Sequence, residues 1–241
     1  MKTFFTNLRY LLCNNDRGNK QDIVLHGRTT AEESVLDKAR YFTDDYFSHS
    51  QFISFAEQVR LVHSLNRKRI LEIGIGNGIV SEYLKKAGLD VTTFDINPNL
   101  KPDIVGNVAH LDEFGLNRQF DIVLCAEVLE HTPFSDFHNI IQMISKITNE
   151  YAIITIPRAR KTLFEFQLGI KLPKIPYVHK HIIISFPKSH IANTHHWELD
   201  SSKQTSLTSL TNIMNMHFTL IDSNSFRFRS RHYYFILKTE L

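Results

Sequence analysis

Ile70-Leu71-Glu72-Ile73-Gly74-Ile75-Gly76-Asn77-Gly78 is the stretch whose reading decides the fold. The apolar run from Ile70 to Ile73 has the length and composition of a short buried strand. It breaks into three glycines at alternate positions, and Ile79 to Ala87 then reads as a helix. Glycines let the backbone turn sharply and let a ligand approach with no side chain in the way. The N–H groups that open the next helix lack partners within it and face such a ligand. The dinucleotide fingerprint is G-x-G-x-x-G, whereas the spacing here is G-x-G-x-G and position 79 is Ile. A phosphate-cradling P-loop would need Gly-Lys-Ser/Thr, which is absent.

Reading outward, Gly88 ends the helix and Asp90 to Phe94 forms a second strand closed by Asp95. Asp95 lies 21 positions after Gly74, the spacing at which an acid takes both hydroxyls of a ribose. Ile104 to Val108 reads as a short third strand. Phe120 to Cys125 reads as a buried, strongly β-forming fourth strand, and it runs into Ala126-Glu127-Val128-Leu129-Glu130-His131. Ser135 is placed to start a helix with Phe137, Ile140, Ile141 and Ile144 on its buried face. Tyr151 to Ile156 is a fifth strand ended by Pro157. Strands and helices alternate throughout, and ligands of such sheets bind at the carboxyl ends of the strands.

The glycine loop with Glu72 before it resembles the first motif of the class I S-adenosylmethionine (SAM) methyltransferases, E/D-x-G-x-G-x-G. The segment from Phe120 to His131 resembles the same family's F-D-x-V-x-x-x-x-V-L-E-H. The resemblance covers about Arg69 to Pro157 and is closest to the broad group of small-molecule methyltransferases. It implies a Rossmann-like α/β fold: a seven-stranded, mostly parallel sheet with helices on both faces and an antiparallel last strand. It implies SAM as cofactor, a cationic sulfonium without phosphate, which suits a carboxylate beside the loop. The cofactor residues that it implies are Glu72, Gly74, Gly76, Asn77, Gly78, Asp95, Ile96, Asn107, Val108, Cys125, Ala126 and Glu127. Many relatives carry Asp where this chain has Asn107.

The flanks are read from the same pattern. One domain is expected over 1–241, with a helical cap at 1–65, the SAM-binding core at 66–157, an insertion at 158–200 and a closing helix and strand pair at 201–241. Phe4, Phe5, Leu8, Leu11 and Leu12 are spaced as one face of a short helix. Thr30 to Leu65 reads as helical with a polar break near Asp44, and Phe52, Phe55, Val59, Val62 and Leu65 recur at core-facing spacing. Tyr41, Tyr46 and Phe47 are candidates to line the site. In the family, an insertion after the fifth strand commonly forms the substrate cap. Here it carries Arg158, Arg160, Lys161, Lys171, Lys174, Lys180 and Lys188, which suit an anionic acceptor such as a phosphate-bearing sugar or a lipid head group. Its Thr194-His195-His196-Trp197-Glu198-Leu199 resembles a stretch in methyltransferases linked to surface-polysaccharide biosynthesis. Arg158, Arg160, His195 and Trp197 are the candidate acceptor contacts. Ser206 to Met216 reads as a helix, and Phe218 to Ile221 and His232 to Leu237 read as the last strands, joined by a polar stretch with Arg227, Arg229 and Arg231.

His131 and His196 are candidate general bases, with Glu198 placed to orient either imidazole. His195, His196 and Glu198 also offer metal-type ligands, but tight sites need a third or fourth side chain at suitable spacing, and no metal is assigned. The expected reaction is methyl transfer to a small-molecule or glycan-precursor acceptor at a hydroxyl; a SAM-binding regulatory protein without catalysis is the alternative. Bulk properties agree: 241 residues, 42% hydrophobic, 22% charged, and a net charge of +3 too small to imply nucleic acid. Cys13 and Cys125 form no ligand or redox motif and read as reduced thiols of a cytoplasmic protein. No apolar run is long enough to span a membrane, and the face from Phe4 to Leu12 is the candidate for a lid or a peripheral membrane contact.

Overall fold

The computed structural model describes residues 28–44, 46–171, 178–187, 191–227 and 229–240. The expected helix over Phe4 to Leu12, together with Cys13, Lys174 and Lys188, lies outside them. The fold is a seven-stranded sheet in the order β3-β2-β1-β4-β5-β9-β8. Its strands are β1 (Arg69–Ile73), β2 (Asp90–Asp95), β3 (Ile104–Val105), β4 (Phe120–Ala126), β5 (Thr148–Pro157), β8 (Phe218–Phe226) and β9 (Arg229–Thr239). β1 to β5 are parallel, and β9 runs antiparallel to both β5 and β8. The expected Rossmann-like sheet with its antiparallel last strand is therefore present.

Side chains alternate across a strand, so an unbroken apolar run needs cover on both faces. β1 and β4 show this. Leu71, Ile73, Val123 and Cys125 pack on one face against Phe137, Ile140, Ile141 and Ile144 of α4 (Phe137–Ile147) and Leu210 and Met214 of α5 (Leu207–Met214). Ile70, Ile122 and Leu124 pack on the other against Leu61 and Val62 of α2 (His49–Ser64) and Val80 and Leu84 of α3 (Ile79–Lys86). Burying a large aliphatic side chain stabilises by roughly 1.5–3 kcal/mol, which makes these two layers the main stabilising term.

Several expectations are corrected. Thr30 to Leu65 breaks near Asp44 as expected, but it also breaks earlier, so that the part before α2 is only α1 (Thr30–Ser34) and a 3-10 turn (Lys38–Phe42). Thr29 closes a capping box on α1, Asp37 caps the 3-10 turn and Ser48 caps α2, so each cap restarts the chain in a new direction. Phe52 is exposed, because the buried face of α2 is set by Ser54, Gln58, Leu61 and Val62. The third strand ends at Val105, since Asn107 caps a 3-10 helix that begins at Val108. Ser135 lies in a 3-10 turn ahead of α4 rather than capping it. The insertion holds a hairpin of β6 (Arg160–Ile170) and β7 (Val178–Pro187), separate from the main sheet. The final strands reach Phe226 and Arg229, so the polar residues from Asp222 to Ser225 belong to β8, and Arg229 and Arg231 belong to β9. Among the described residues no helix is long and apolar enough to cross a membrane.

Candidate active site

The site forms where β1, β2 and β4 end. Gly74, Gly76 and Gly78 all take positive φ, at 82°, 51° and 78°, in the left-handed region that favours glycine. Gly74 N–H donates to the Phe94 carbonyl at 2.8 Å and Gly78 N–H to the Ile75 carbonyl at 2.8 Å, which folds the loop back over the sheet edge. Asn77 Oδ1 accepts from Ile79 N–H at 3.2 Å and so opens α3. Asp95 locks the loop to β2: Oδ2 accepts from Ile75 N–H at 2.9 Å and Oδ1 from Asn97 N–H at 2.8 Å. Each oxygen retains a lone pair for a ligand.

The resulting cleft is lined by Glu72, Gly74, Gly76, Asn77, Asp95, Ile96, Asn107, Val108, Ala126 and Glu127. Two expected cofactor residues stand apart. Gly78 serves as the α3 cap, and the Cys125 side chain is buried in the core, where burial pushes its thiol up. Asn107 Oδ1 accepts from Ala109 N–H at 2.9 Å, which leaves its amide for the cleft. The roof comes from the N-terminal segment: Arg28, Glu33, Arg40, Tyr41, Tyr46, Gln51, Phe55 and Gln58. Tyr41 and Tyr46 meet edge to face at 5.2 Å, and the Tyr41 ring lies 3.8 Å from where a Cβ on Gly76 would sit. Phe47 is exposed beside Phe42 and Phe52 and does not line the cleft.

The carboxylates are treated unequally. Glu72 is buried with Oε2 unpartnered, and burial pushes its pKa up to about 8. Burial also raises Asp95. Burial would raise Glu127 as well, but His232, Arg229 and Ser54 outweigh it and hold that carboxyl below its ordinary range. Ser54 Oγ donates to Glu127 Oε1 at 2.6 Å, Arg229 Nη1 lies 3.8 Å from the same oxygen, and His232 Nε2 lies 3.5 Å from Oε2. Sequence reading missed Ser54, Arg229 and His232 as partners of Glu127. A polar Ser on the buried face of α2 was the available signal.

His131 lines the cleft. Its Nδ1 donates to the Thr194 carbonyl at 3.1 Å, so Nε2 carries a lone pair. Burial pushes its pKa down to about 4, and the ring is neutral at neutral pH. The edge-to-face His195 ring is 5.0 Å away, and the Nδ1 of His195 is paired with Glu198 Oε1 at 3.0 Å. Glu198 thus orients His195, not His131 or His196. His196 is tied at both ends: its N–H donates to the Glu130 carbonyl at 2.8 Å and its Nε2 to the Arg28 carbonyl at 3.0 Å. It lies outside the cleft lining and straps the insertion to the roof. Among the described residues, the one group of three potential metal ligands is Glu130, His131 and His195, not His195, His196 and Glu198.

The expected acceptor contacts do not line the cleft. Trp197 is buried, donates from Nε1 to the Thr132 carbonyl at 3.1 Å, and packs on Phe134 and Phe137. Arg158 is held by Asp200 at 2.6 Å and lies over the Tyr233 ring, so its charge is committed inside the fold. Arg160 opens β6 away from the cleft.

A family profile described as "Methyltransferase domain" matches residues 52–214, more than half of the chain. The ubiquinone biosynthesis O-methyltransferase of Azorhizobium caulinodans is 29% identical over 131 residues, 48% of this chain and 50% of that protein. The enzyme of that name from Coxiella burnetii is 35% identical over 83 residues, 29% of this chain and 35% of that protein. The chain thus spans about half the length, or less, of these curated relatives. Among solved structures, the Burkholderia thailandensis 1,6-didemethyltoxoflavin-N1-methyltransferase, with 1,6-didemethyltoxoflavin and S-adenosylhomocysteine bound, is 14% identical and superposes with a TM-score of 0.51, covering 91% of this chain and 94% of that one. Synechocystis magnesium protoporphyrin IX methyltransferase with bound S-adenosylhomocysteine is also 14% identical, with a TM-score of 0.51 over 99% and 95% of the two chains. With the profile spanning β1 to α5 and the fold shared with these structures, the chain belongs to the methyltransferase-domain family.

Proposed function

We propose that this chain is a SAM-dependent methyltransferase that acts on a hydroxyl of a small molecule, a glycan precursor being the class suggested by its sequence. One observation carries the reading. The glycine loop, Asp95 and the end of β4 converge on one cleft whose ionisable lining holds four carboxyl groups against two arginines. SAM supplies an electrophilic methyl on a cationic sulfonium and brings no phosphate. The chain's own residues fit it. Asp95 keeps two lone pairs for the ribose hydroxyls, and Ile96, Asn107 and Val108 line the adenine side. The Gly74-to-Asn77 backbone, Glu72 and Glu127 serve the amino-acid and sulfonium side, and Tyr41 covers the loop.

In-line methyl transfer asks the protein mainly to align the nucleophile and exclude water. The roof from Arg28 to Gln58 supplies the exclusion. His131, neutral with Nε2 available, is the proposed proton acceptor for the hydroxyl, a role worth roughly 10² to 10⁴ in rate. The hydroxyl preference is supported by the names of the curated relatives as O-methyltransferases. An anionic group on the acceptor would meet Arg40 of the roof, since Arg158 is committed to Asp200. The test is calorimetry with SAM, S-adenosylhomocysteine and NAD, then transfer of labelled methyl from SAM to hydroxylated sugar nucleotides and phenols. Binding of NAD but not SAM would overturn the cofactor assignment. SAM binding with transfer only to amines would overturn the hydroxyl.

A further inference from the structure

The β6–β7 hairpin presents an apolar face to solvent. In an antiparallel pair, directly opposed residues share a face, and so do alternate residues along each strand. The register opposes Phe164 to Ile184, Phe166 to Ile182, and Leu168 to Lys180. Phe164, Phe166 and Leu168 on β6 and Ile182, Ile184 and Phe186 on β7 are each between 44% and 55% exposed. The reverse face, with Thr162, Glu165, Ile183 and Ser185, is half-buried. The polarity is thus inverted: the wet side carries the aromatic and aliphatic side chains. A contiguous apolar face of this kind marks a binding surface.

The charges around the face identify what covers it. Lys161 stands opposite Phe186 at one end of the apolar rows, and Lys180 stands opposite Leu168, next to the pair that holds Ile170 at the other. Lys171 is exposed immediately after Ile170. Glu165 pairs across from Ile183 and belongs to the reverse face. Aliphatic and aromatic side chains bordered by lysines match an anionic lipid surface: the apolar groups enter the acyl boundary, and the lysine stems reach back to the head groups. A second copy of the chain, laid face to face, would bring cationic borders together. The hairpin starts three residues after Pro157, at the end of the sheet where the cleft opens. We infer that the β6–β7 hairpin docks this protein peripherally on an anionic membrane surface through Phe164, Phe166, Ile182, Ile184 and Phe186, with Lys161 and Lys180 at the head groups. This inference does not depend on the proposed reaction.

The experiment is co-sedimentation of the full chain with phosphatidylcholine vesicles, with and without a quarter of phosphatidylglycerol. The chain is expected to pellet with the anionic vesicles, at least about tenfold more than with neutral ones, and to be released by salt. Phe164→Ser with Phe166→Ser and Ile184→Ser should cut this binding at least about tenfold with an unchanged thermal midpoint, because all three are exposed. Lys161→Glu with Lys180→Glu tests the charge alone and serves if the first variant fails to fold; it should abolish the preference for anionic vesicles. Wild-type chain that stays in the supernatant with both vesicle types overturns the inference, as does vesicle binding unchanged in both variants. A wild-type dimer in light scattering that the serine variant converts to monomer, without vesicle binding, assigns the face to a second copy and also overturns it.

Discussion

Gly74 and Gly76 sit two residues apart in one loop, yet replacing each with alanine should do different things. A Cβ on Gly74, at φ 82°, would fall 2.2 Å from Val128 Cγ2. Val128 is β-branched and stiff at χ1, so it yields little. The left-handed backbone costs a non-glycine residue roughly 1–2 kcal/mol, and overpacking adds about 1–3 kcal/mol. Gly74→Ala should therefore lose about 2–5 kcal/mol, a fall in Tm of about 4–20 °C for a chain of this size. A Cβ on Gly76, at φ 51°, meets only Tyr41 Cδ1, at an ordinary 3.8 Å. Gly76→Ala should cost the backbone term alone, about 2–8 °C. Its methyl group would nonetheless stand on the cleft lining, so SAM affinity should fall more than stability does. Thermal unfolding and calorimetry on both variants check this. If Gly76→Ala is destabilised as much as Gly74→Ala, or if Gly74→Ala keeps its Tm, the steric reasoning is wrong.

Asp95→Ala removes two charge-assisted acceptors for the ribose, each worth ~1.5–3 kcal/mol, and should weaken SAM at least about a hundredfold by calorimetry. Glu72 holds its proton to about pH 8 when folded but releases it near the ordinary 4.5 when unfolded, so this group makes stability fall as pH rises between those values. Urea unfolding at both ends of that window should show Glu72→Gln flattening the fall; an unchanged slope would exclude Glu72 as its source. His131→Asn should lower kcat at least about tenfold and retain SAM affinity. The wild-type acidic limb should lie near pH 4, where burial places His131, rather than near 6.5, and a limb that persists in the variant would remove His131 as base. Arg158→Ala should lower Tm without raising the acceptor's KM, because Asp200, its partner at 2.6 Å, also accepts from Leu207 N–H at the start of α5; a KM effect at constant Tm would return Arg158 to the acceptor site.

The parts of the fold that local pattern controls were legible. An apolar run ending in alternate glycines can form little but a buried strand and a tight turn, and the structure places β1, the loop and α3 there. Asp95 was legible because its spacing from Gly74 is a property of one strand–helix–strand unit. The illegible parts depend on contacts across the chain. Ser54 and Glu127 are 73 positions apart, and His196 and Arg28 are 168 apart, so no local period announces either bond. Trp197 and Arg158 looked like acceptor contacts by residue type, but their partners Thr132, Asp200 and Tyr233 are tertiary. The hairpin had a local signal: Phe164, Phe166, Leu168 and Ile170 alternate at the period of a strand. Arg158, Arg160, Lys161 and Lys171 flank that run and equally suit an acceptor-binding cap, so residue type alone does not separate the two.

The three carboxyl groups at the strand ends, Glu72 and Asp95 buried and Glu127 half-buried, explain why the cleft suits a cation. A buried carboxylate is costly unless something compensates its charge. Asp95 is compensated by two backbone N–H groups, and Glu127 by Ser54, Arg229 and His232. Glu72 has an unpartnered Oε2, and burial raises its pKa. A cationic ligand near Glu72 would lower that pKa and recover part of the cost as binding free energy. A pyrophosphate would raise it further and would face Asp95 and Glu127 as well. The cofactor should therefore bind more tightly as pH rises towards about 8, where Glu72 of the ligand-free protein ionises. Calorimetry across that range should show the trend in wild type and lose it in Glu72→Gln. The same slope in both proteins would mean that Glu72 does not sense the ligand's charge.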